Sequence, residues 1–267
     1  MNYIFDLDDT LLFSEKIKKE TYFGYLLSLY KSGKLSTNEV MTAMKTAQNV
    51  LFKKGEKDVF DTAGQVISSV NQDISESELR TASVEYVAEQ MSLLRKNYQN
   101  RTAEVIGATL CLGYLAKTGA ILGVNTGNQV SFARKAVRDR NWPIPDNLVF
   151  GAGDTPDDNP YSLEMKVENI RKFAAEIMKA NPGKYKTEAA AMADITMVGD
   201  GAFDYQSAKI AGCHFIGLKP HNDKPSKLDK YPDAKCFDNM LELWLHIQNK
   251  RNKYLLPLAV SNSRTMV

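Results

Sequence analysis

Two aspartates near the start of the chain are the first residues whose types and spacing could do chemistry. An apolar run at 3–5, typical of a buried parallel strand, leads directly into Asp6 and Asp8. If the strand continued, both carboxylates would lie on one face, which an apolar core would not accept without partners. We therefore predict that the strand ends here and places both acids at the carboxyl edge of a sheet, where ligands bind in open α/β folds. A plain acidic turn is the alternative, but such turns seldom run straight into apolar residues such as Leu11 and Leu12.

A second acidic pair follows another predicted strand. Residues 195–198 run into Asp200 and Asp204, and the i, i+4 spacing places the second acid in the first turn of a helix. Together with Asp6 and Asp8 they would bring four carboxylates to one point, where they would repel one another unless a divalent cation held them. Ligation by oxygen alone favours Mg²⁺. For Asp204 a simpler interpretation stays open, since an acid near a helix N-terminus is favourable by itself.

A candidate phosphate cradle follows the predicted strand at 120–124. There Asn125, Thr126, Gly127 and Asn128 combine a hydroxyl and a glycine with a predicted helix start. A hydroxyl and several free backbone N–H groups at such a position can bind phosphate. The same residues are also good helix-capping chemistry, so both interpretations stay open.

Lys166 is the candidate cation of the site. It opens a predicted helix at 166–179, where a positive charge works against the helix dipole, so a purely structural role would favour an acid. A lysine that meets bound phosphate makes better sense, with Lys172 and Lys135 as alternatives. The acidic loop at 154–158 is most simply a solvated surface turn.

The elements that must position these residues fall into two kinds. Residues 15–98 carry four amphipathic helical stripes, and Ser36 with Glu39 and Ser75 with Glu78 form capping boxes, which predicts a self-contained four-helix unit. Beyond it, helix and strand alternate. The predicted helices are 103–117, 128–140, 166–179, one from 203 and 239–249, and the predicted strands are 120–124, 148–150, 195–198, 213–218 and 234–237.

Such alternation predicts βαβ units with right-handed crossovers and hence an α/β fold with a Rossmann-like parallel sheet. We expect a core formed by residues 1–14 and 99–250, an inserted all-α domain at 15–98, and a tail at 251–267 without a strong pattern.

Composition narrows the class of protein. The chain has 267 residues and a net charge of +2, too small to indicate nucleic acid or an anionic membrane as a partner. Three widely spaced cysteines suit small apolar residues in a reducing compartment. The most apolar stretch, at 108–124, is interrupted by Lys117 and Gly119, and no apolar signal segment precedes the first strand. We expect a soluble, cytoplasmic protein.

The motif from Phe5 to Thr10 resembles the first motif, Asp-x-Asp-x-Thr, of the haloacid dehalogenase superfamily. The other three motifs of that family have counterparts in the same order, at Thr126, at Lys166 and at the pair Asp200 and Asp204. The helical insert is similar to the family's C1-type cap. One departure is that the usual lysine-proline pair is absent at Lys166.

The resemblance implies a phosphatase that works through an aspartyl-phosphate. Asp6 would be the nucleophile and Asp8 the general acid and base, while Thr126 and Lys166 would bind the phosphoryl oxygens. Mg²⁺ would lie between Asp6, the backbone carbonyl of Asp8, and Asp200, with Asp204 reaching it directly or through water. Thr10 would shape the loop, and Asp9 would point to solvent or to a loop N–H.

Two other functions remain alternatives. Dehalogenases and phosphonatases of this family lack an acid at the position of Asp8, which favours phosphate monoesters and leaves a phosphomutase as the nearest rival. The second alternative is a non-catalytic binding protein that keeps the fold. The insert gives no indication of the substrate, and Lys16, Lys18 and Lys19 are expected to form a solvated face.

Overall fold

A computed structural model describes residues 1–53, 59–155, 157–158, 161–220 and 226–250, without the side chains of residues 15, 19, 51–53 and 98–101. Its centre is one parallel sheet with the strand order β3-β2-β1-β4-β5-β6. The strands are β1 (Asn2–Phe5), β2 (Leu122–Gln129), β3 (Val149–Ala152), β4 (Ile195–Gly199), β5 (His214–Leu218) and β6 (Cys236–Phe237). The predicted α/β fold with a Rossmann-like parallel sheet is confirmed.

The first strand lies in the middle of the sheet. Phe5 pairs with Val124 of β2 on one side and with Val198 of β4 on the other. The chain therefore leaves β1 at the same edge where β2 and β4 end. This register places the residues that follow the three strands close to one another.

In the described part of the chain, β1 is followed by four α-helices and by a π-helical segment at Gln48–Lys53 that lies between the second and the third of them. The α-helices are α1 (Glu15–Lys31), α2 (Thr37–Ala47), α3 (Val59–Val70) and α4 (Glu76–Arg101), and they pack largely against one another. The capping box at the start of α2 is present, with Ser36 Oγ accepting from the Glu39 N–H at 3.3 Å and Glu39 accepting from the Ser36 N–H at 2.7 Å. Ser75 and Glu78 make the same exchange before α4. The helical insert is therefore observed, while its exact domain boundaries stay a prediction.

Both faces of the sheet are covered by helices. These are α5 (Ala108–Lys117), α6 (Val130–Asp139), α7 (Leu163–Ala180), α8 (Glu188–Met192), α9 (Ala202–Ala211) and α10, at 240–250. Ile4, Phe5, Leu112 and Phe173 are fully buried between these layers. Cys111 is buried and the other two cysteines are partly buried, all three as free thiols. Among the described residues, no helix combines the length and apolarity needed to cross a membrane.

Helix α5 begins five residues later than predicted. Gly107 has φ +86°, a left-handed conformation that ends any helix entering from 103, and a Cβ there would lie 2.5 Å from the backbone nitrogen of Leu241. The residues before it are not helical: Glu104 forms an isolated bridge with Leu12, and a turn follows in which the Ala108 N–H donates to the Val105 carbonyl at 2.9 Å.

Strand β2 also differs from its prediction, because it continues to Gln129. An irregularity lies between Asn125 and Gln129, and the pairing with β3 resumes at Gln129 opposite Ala152. Helix α6 therefore begins at Val130 and not at 128. The short helix α8, capped by Thr187, was not predicted. The predicted tail at 251–267 lies outside the described residues.

Candidate active site

Three acids converge at the carboxyl edge of the sheet. Asp6 follows β1, Asp200 follows β4, and Asp204 lies in the first turn of α9. One carboxylate oxygen from each lies within 4.8 Å of the other two. Asp204 also accepts a hydrogen bond from the N–H of Gly201 at 2.9 Å. A Cβ at Gly199 would lie 2.4 Å from the Asp204 carboxyl group, so only glycine at this position lets the acid come so close.

The expected meeting of four carboxylates is wrong for the side chain of Asp8, which is not part of this cluster. Its carboxylate accepts hydrogen bonds from the ammonium group of Lys18 and from the side-chain amide of Asn128. The chain turns sharply at Asp9, which has φ +54° and accepts from the Ser14 N–H at 3.0 Å. Two residues that lie on one face of a continued strand are thus separated by the turn, and Asp8 points to the start of α1.

Lys166 lies in the first turn of α7, which Ser162 caps by accepting from the Met165 N–H at 3.0 Å. Its ammonium group donates to Asp6 Oδ1 at 3.0 Å and to the carboxylate of Asp204. Only 3% of the side chain is exposed. The lysine alternatives lie elsewhere, since Lys172 is exposed and Lys135 pairs with Asp139 along α6.

The segment Thr126–Asn128 lies beside Asp8. The Thr126 hydroxyl is buried and accepts from the N–H of Asn128 at 3.1 Å, a local contact of the capping kind. The ring of Tyr161 lies so close to Gly127 that a Cβ there would be 2.8 Å away. The asparagine side chain reaches Asp8. The structure therefore brings Asn128 to the first acidic motif, although the backbone here is a strand end and not the predicted helix start.

The acids and the lysine perturb one another. Burial raises the pKa of Asp6 to about 7, because the lowering effect of Lys166 only partly offsets it and the charges of Asp204 and Asp8 raise it further. Partial burial also holds the pKa of Asp200 well above its ordinary value. Burial alone would lower the pKa of Lys166, but the charges of Asp204 and Asp6 outweigh it and raise that pKa. The cluster is therefore short of positive charge.

A pair of buried asparagines supports Lys166, a role that the sequence did not predict for either: it indicated Asn125 only as part of the phosphate cradle and gave no role to Asn169. Asn125 donates through its side-chain amide to the backbone carbonyl of Lys166 at 2.9 Å, and Asn169 donates to the side-chain oxygen of Asn125 at 3.1 Å. Both are fully or almost fully buried. The only signal in the sequence is Asn169 on the otherwise apolar face of its helix, three residues after the lysine.

Lys18 corrects another expectation, since it does not belong to a solvated face. Its ammonium group forms an ion pair with Asp8, and only 31% of the side chain is exposed. Burial works to lower the pKa of Lys18, but the charge and hydrogen bond of Asp8, together with the charges of Asp9 and Asp6, outweigh burial and raise that pKa. A signal existed, because a helix that begins directly after the first motif must have its first turn beside that motif.

The acidic loop and α4 also contact each other. Arg80 of α4 pairs with Asp157, which is exposed. Arg95 of α4 donates to the Ser131 hydroxyl at 2.9 Å, and Ser131 donates to the Asp154 carboxylate at 2.7 Å. The loop, for which a solvated surface turn was the simplest expectation, therefore also contacts α4 of the helical insert directly and through Ser131 of α6.

Solved structures with a similar architecture include several described as hydrolases or predicted phosphatases. A haloacid dehalogenase-type hydrolase of family IA, variant 3, from Entamoeba histolytica has a TM-score of 0.60 at 15% identity, covering 90% of this chain and 94% of its own. A predicted phosphoglycolate phosphatase from Haemophilus somnus has a TM-score of 0.57 at 19% identity, covering 92% of this chain and 97% of its own. A haloacid dehalogenase-type hydrolase from Bacillus subtilis, determined with bound magnesium, has a TM-score of 0.54 at 14% identity, covering 93% of this chain and 98% of its own.

The chain therefore has the fold of the haloacid dehalogenase-like hydrolases, with a helical insert after the first strand. No protein-family model and no curated protein sequence matches it. At identities this low the similarity establishes the fold, and the activity has to be argued from the site.

Proposed function

We propose that the protein is a Mg²⁺-dependent phosphatase that hydrolyses a small phosphate monoester through an aspartyl-phosphate. The observation that carries the proposal is the convergence of Asp6, Asp200 and Asp204 around the ammonium group of Lys166 at the carboxyl edge of the sheet. Solved structures with this fold are hydrolases and predicted phosphatases, which supports the same class of reaction.

The donor set fits a hard divalent cation. Three carboxylate oxygens within 4.8 Å of one another, two of them on buried residues, carry more negative charge than one lysine offsets. Oxygen ligands of this kind are those that Mg²⁺ prefers. Asp6, Asp200 and Asp204 would hold the ion, together with the backbone carbonyl of Asp8. When bound, Mg²⁺ supplies positive charge that stabilises a phosphoryl group undergoing transfer.

Asp6 is the proposed nucleophile. Its carboxylate oxygen attacks phosphorus, the bond from phosphorus to the leaving oxygen breaks, and an aspartyl-phosphate forms. Water then attacks the same phosphorus atom, which releases phosphate and restores the carboxylate. Asp6 directly follows a central strand, and its backbone N–H donates to the Val198 carbonyl at 2.8 Å. This bond fixes the backbone from which the nucleophilic side chain extends.

Asp8 is the proposed general acid and base. It gives a proton to the leaving oxygen in the first step and takes one from the attacking water in the second. The ion pair with Lys18 stabilises the ionised carboxylate and so suits the second step. The first step needs a protonated Asp8, and we therefore propose that the contact with Lys18 loosens before the leaving group departs.

The phosphoryl oxygens have donors close by. We propose that Thr126, Gly127, Asn128 and Lys166 bind them, through the hydroxyl, the backbone N–H groups and the ammonium. Lys166 is buried at the nucleophile, 3.0 Å from Asp6 Oδ1, which supports this role. The helical insert at 15–98 would act as a cap, since Lys18 of α1 reaches Asp8 and Arg95 of α4 reaches Ser131 next to the cradle.

The test is phosphate release by the purified chain from a panel of phosphometabolites and an aryl phosphate. We expect release that needs Mg²⁺, stops in EDTA and returns when Mg²⁺ is added back. Asp200→Asn should lose the Mg²⁺ response, while Asp139→Asn, which removes an exposed acid of α6, should keep it. Release that survives exhaustive EDTA treatment would refute the metal assignment, and binding of a phosphate ester without any release would favour a non-catalytic protein.

A further inference from the structure

A cavity of about 700 Å³ opens at the amino edge of the sheet, opposite the acidic site. Its wall includes Tyr3, Thr196 and His214, which pair in register across β1, β4 and β5 and so share one face of the sheet. The ends of α5 and α10 close the other side. Because β1 rises by about 3.3 Å per residue, Tyr3 lies about 10 Å from Asp6, so the two sites are separate.

The charged groups around this cavity are mostly positive. The Met1 amino group and Lys184 pair with Asp194 at 3.0 Å and 2.9 Å, which uses up that acid. Lys235 and Lys250 line the cavity too, and in the described part of the chain neither forms an ion pair with a carboxylate. Positive charge at this edge is therefore left without an anion.

Two further groups respond to the excess of positive charge. Lys235 Nζ lies 2.7 Å from His246 Nε2, so the imidazole accepts a hydrogen bond and is neutral at that nitrogen. Burial and the charge of Lys250 lower the pKa of Lys235. Burial, followed by the charges of the two lysines, lowers the pKa of His246. A bound anion would offset the part of both pKa shifts that comes from the lysine charges.

The remaining wall is mostly apolar, with Thr118 and Thr196 as polar members. Leu115, Phe215, Ile216 and Ile247 line the cavity beside the cations. The Thr196 hydroxyl has no hydrogen-bond partner among the described residues and is buried away from the open space, so only the rest of that side chain borders the cavity. Cavities that combine apolar walls with a few polar groups are typical of small-molecule binding.

We propose that this cavity is a second ligand site, which binds a small organic anion with an apolar body. The anionic group would lie between Lys235 and Lys250, beside His246, and the apolar body would pack against Leu115 and Ile247. The site shares no residue with the acidic cluster, so the proposal does not depend on the phosphatase activity.

The test is a fluorescence titration of the full chain with anilinonaphthalenesulfonate, an aromatic anion. We expect one saturable site on the folded protein. The double variant Lys235→Met with Lys250→Met should weaken binding by roughly tenfold or more, since hydrogen bonds to charged groups contribute about 1.5–3 kcal/mol. Lys172→Met, which removes an exposed lysine of α7, should bind like the wild type. Lys235→Arg keeps the charge and should retain most of the affinity.

Competition separates the contribution of the charge from that of the apolar body. Naphthoate should displace the probe, and neutral naphthylmethanol should not. Circular dichroism and thermal unfolding of each variant check that it is folded. The proposal is overturned if the wild type does not bind the probe, if the double variant binds as tightly as the wild type, if Lys172→Met weakens binding equally, or if naphthylmethanol competes as well as naphthoate.

Discussion

The two edges of the same sheet carry opposite chemistry. At the carboxyl edge three acids surround one lysine that is only 3% exposed, whereas at the amino edge several lysines and two histidines surround a cavity. At the carboxyl edge Asp6, Asp204 and Lys166 are buried, and the lysine is hydrogen-bonded to both acids, while Asp194 at the amino edge is 26% exposed. We therefore expect substitutions at the carboxyl edge to abolish turnover, whereas substitutions at the amino edge should change only ligand binding or stability.

The largest expected effect is that of Asp6→Asn. The amide keeps the shape of the side chain but cannot attack phosphorus, so turnover should fall by roughly 10⁴–10⁶-fold. The measurement is phosphate release with Mg²⁺ present, together with acid quenching to trap the phosphoenzyme, which should not form.

The matched control for that comparison is Asp194→Asn at the opposite edge. It removes an aspartate carboxylate that is also held by cations, and turnover should stay within about twofold of the wild type if the two edges are independent. Wild-type turnover in Asp6→Asn, or an equal loss in both variants, would mean that the carboxyl edge has no special chemical role.

A smaller effect is expected for Asp8→Asn, and its size should depend on the leaving group. General acid catalysis contributes about 10²–10⁴-fold, so an alkyl phosphate should slow by that amount and an activated aryl phosphate by far less. Attack of water should slow as well, so phosphoenzyme should accumulate with the aryl substrate. Stopped-flow and quench measurements on both substrates check this.

Lys18→Met sharpens the interpretation of Asp8. Loss of the ammonium group removes the charge that favours the Asp8 carboxylate, so the pH dependence of turnover controlled by this acid should move to higher pH. Lys16→Met, on an exposed lysine of the same helix turn, should leave the pH profile unchanged. Equal losses on alkyl and aryl substrates in Asp8→Asn, with no accumulation, would show that Asp8 only shapes the loop.

The smallest effect is on stability and comes from the amino edge. Burial works to raise the pKa of Asp194, but hydrogen bonds from Tyr185, Lys184 and the Met1 amino group outweigh it and lower the pKa from 3.8 to about 2. A lowered folded-state pKa gives stability that is present above the unfolded-state pKa and is lost as pH falls through the folded-state value. The full shift corresponds to about 2 kcal/mol, which exposure to solvent reduces to about 1 kcal/mol.

Urea unfolding of the wild type and Asp194→Asn checks this last prediction. The variant should be less stable by about 1 kcal/mol near neutral pH, and the difference should shrink between about pH 4 and pH 2. Asp139→Asn, on an exposed pair of α6, serves as the control and should show a smaller difference. A difference that stays constant down to about pH 2 would mean that the ionisation of Asp194 does not account for the stability.

The sequence by itself determined the class of fold and most of the residues that meet at the carboxyl edge. Short apolar runs that end in acids locate β1 and β4, because a buried parallel strand is apolar along its whole length. The carboxyl ends of parallel strands share one edge of the sheet, so the acids that follow them lie close together. Asp6, Asp200, Asp204 and Lys166 could therefore be predicted to converge, and they do. The helices of the insert could also be predicted from the sequence, because amphipathic stripes and capping boxes are local signals.

Only the tertiary structure decided where the side chain of Asp8 points and which lysine meets it. A positive φ at Asp9 and the start of α1 turn this acid away from the other three and towards Lys18. The cavity at the amino edge was equally hidden, since Thr196, Lys235 and His246 come from distant parts of the chain. Local sequence patterns predict strands and helices, because each has its own periodicity of apolar residues. Contacts between residues that are distant in the chain depend on how those elements pack, and no short-range pattern in a single sequence indicates that packing.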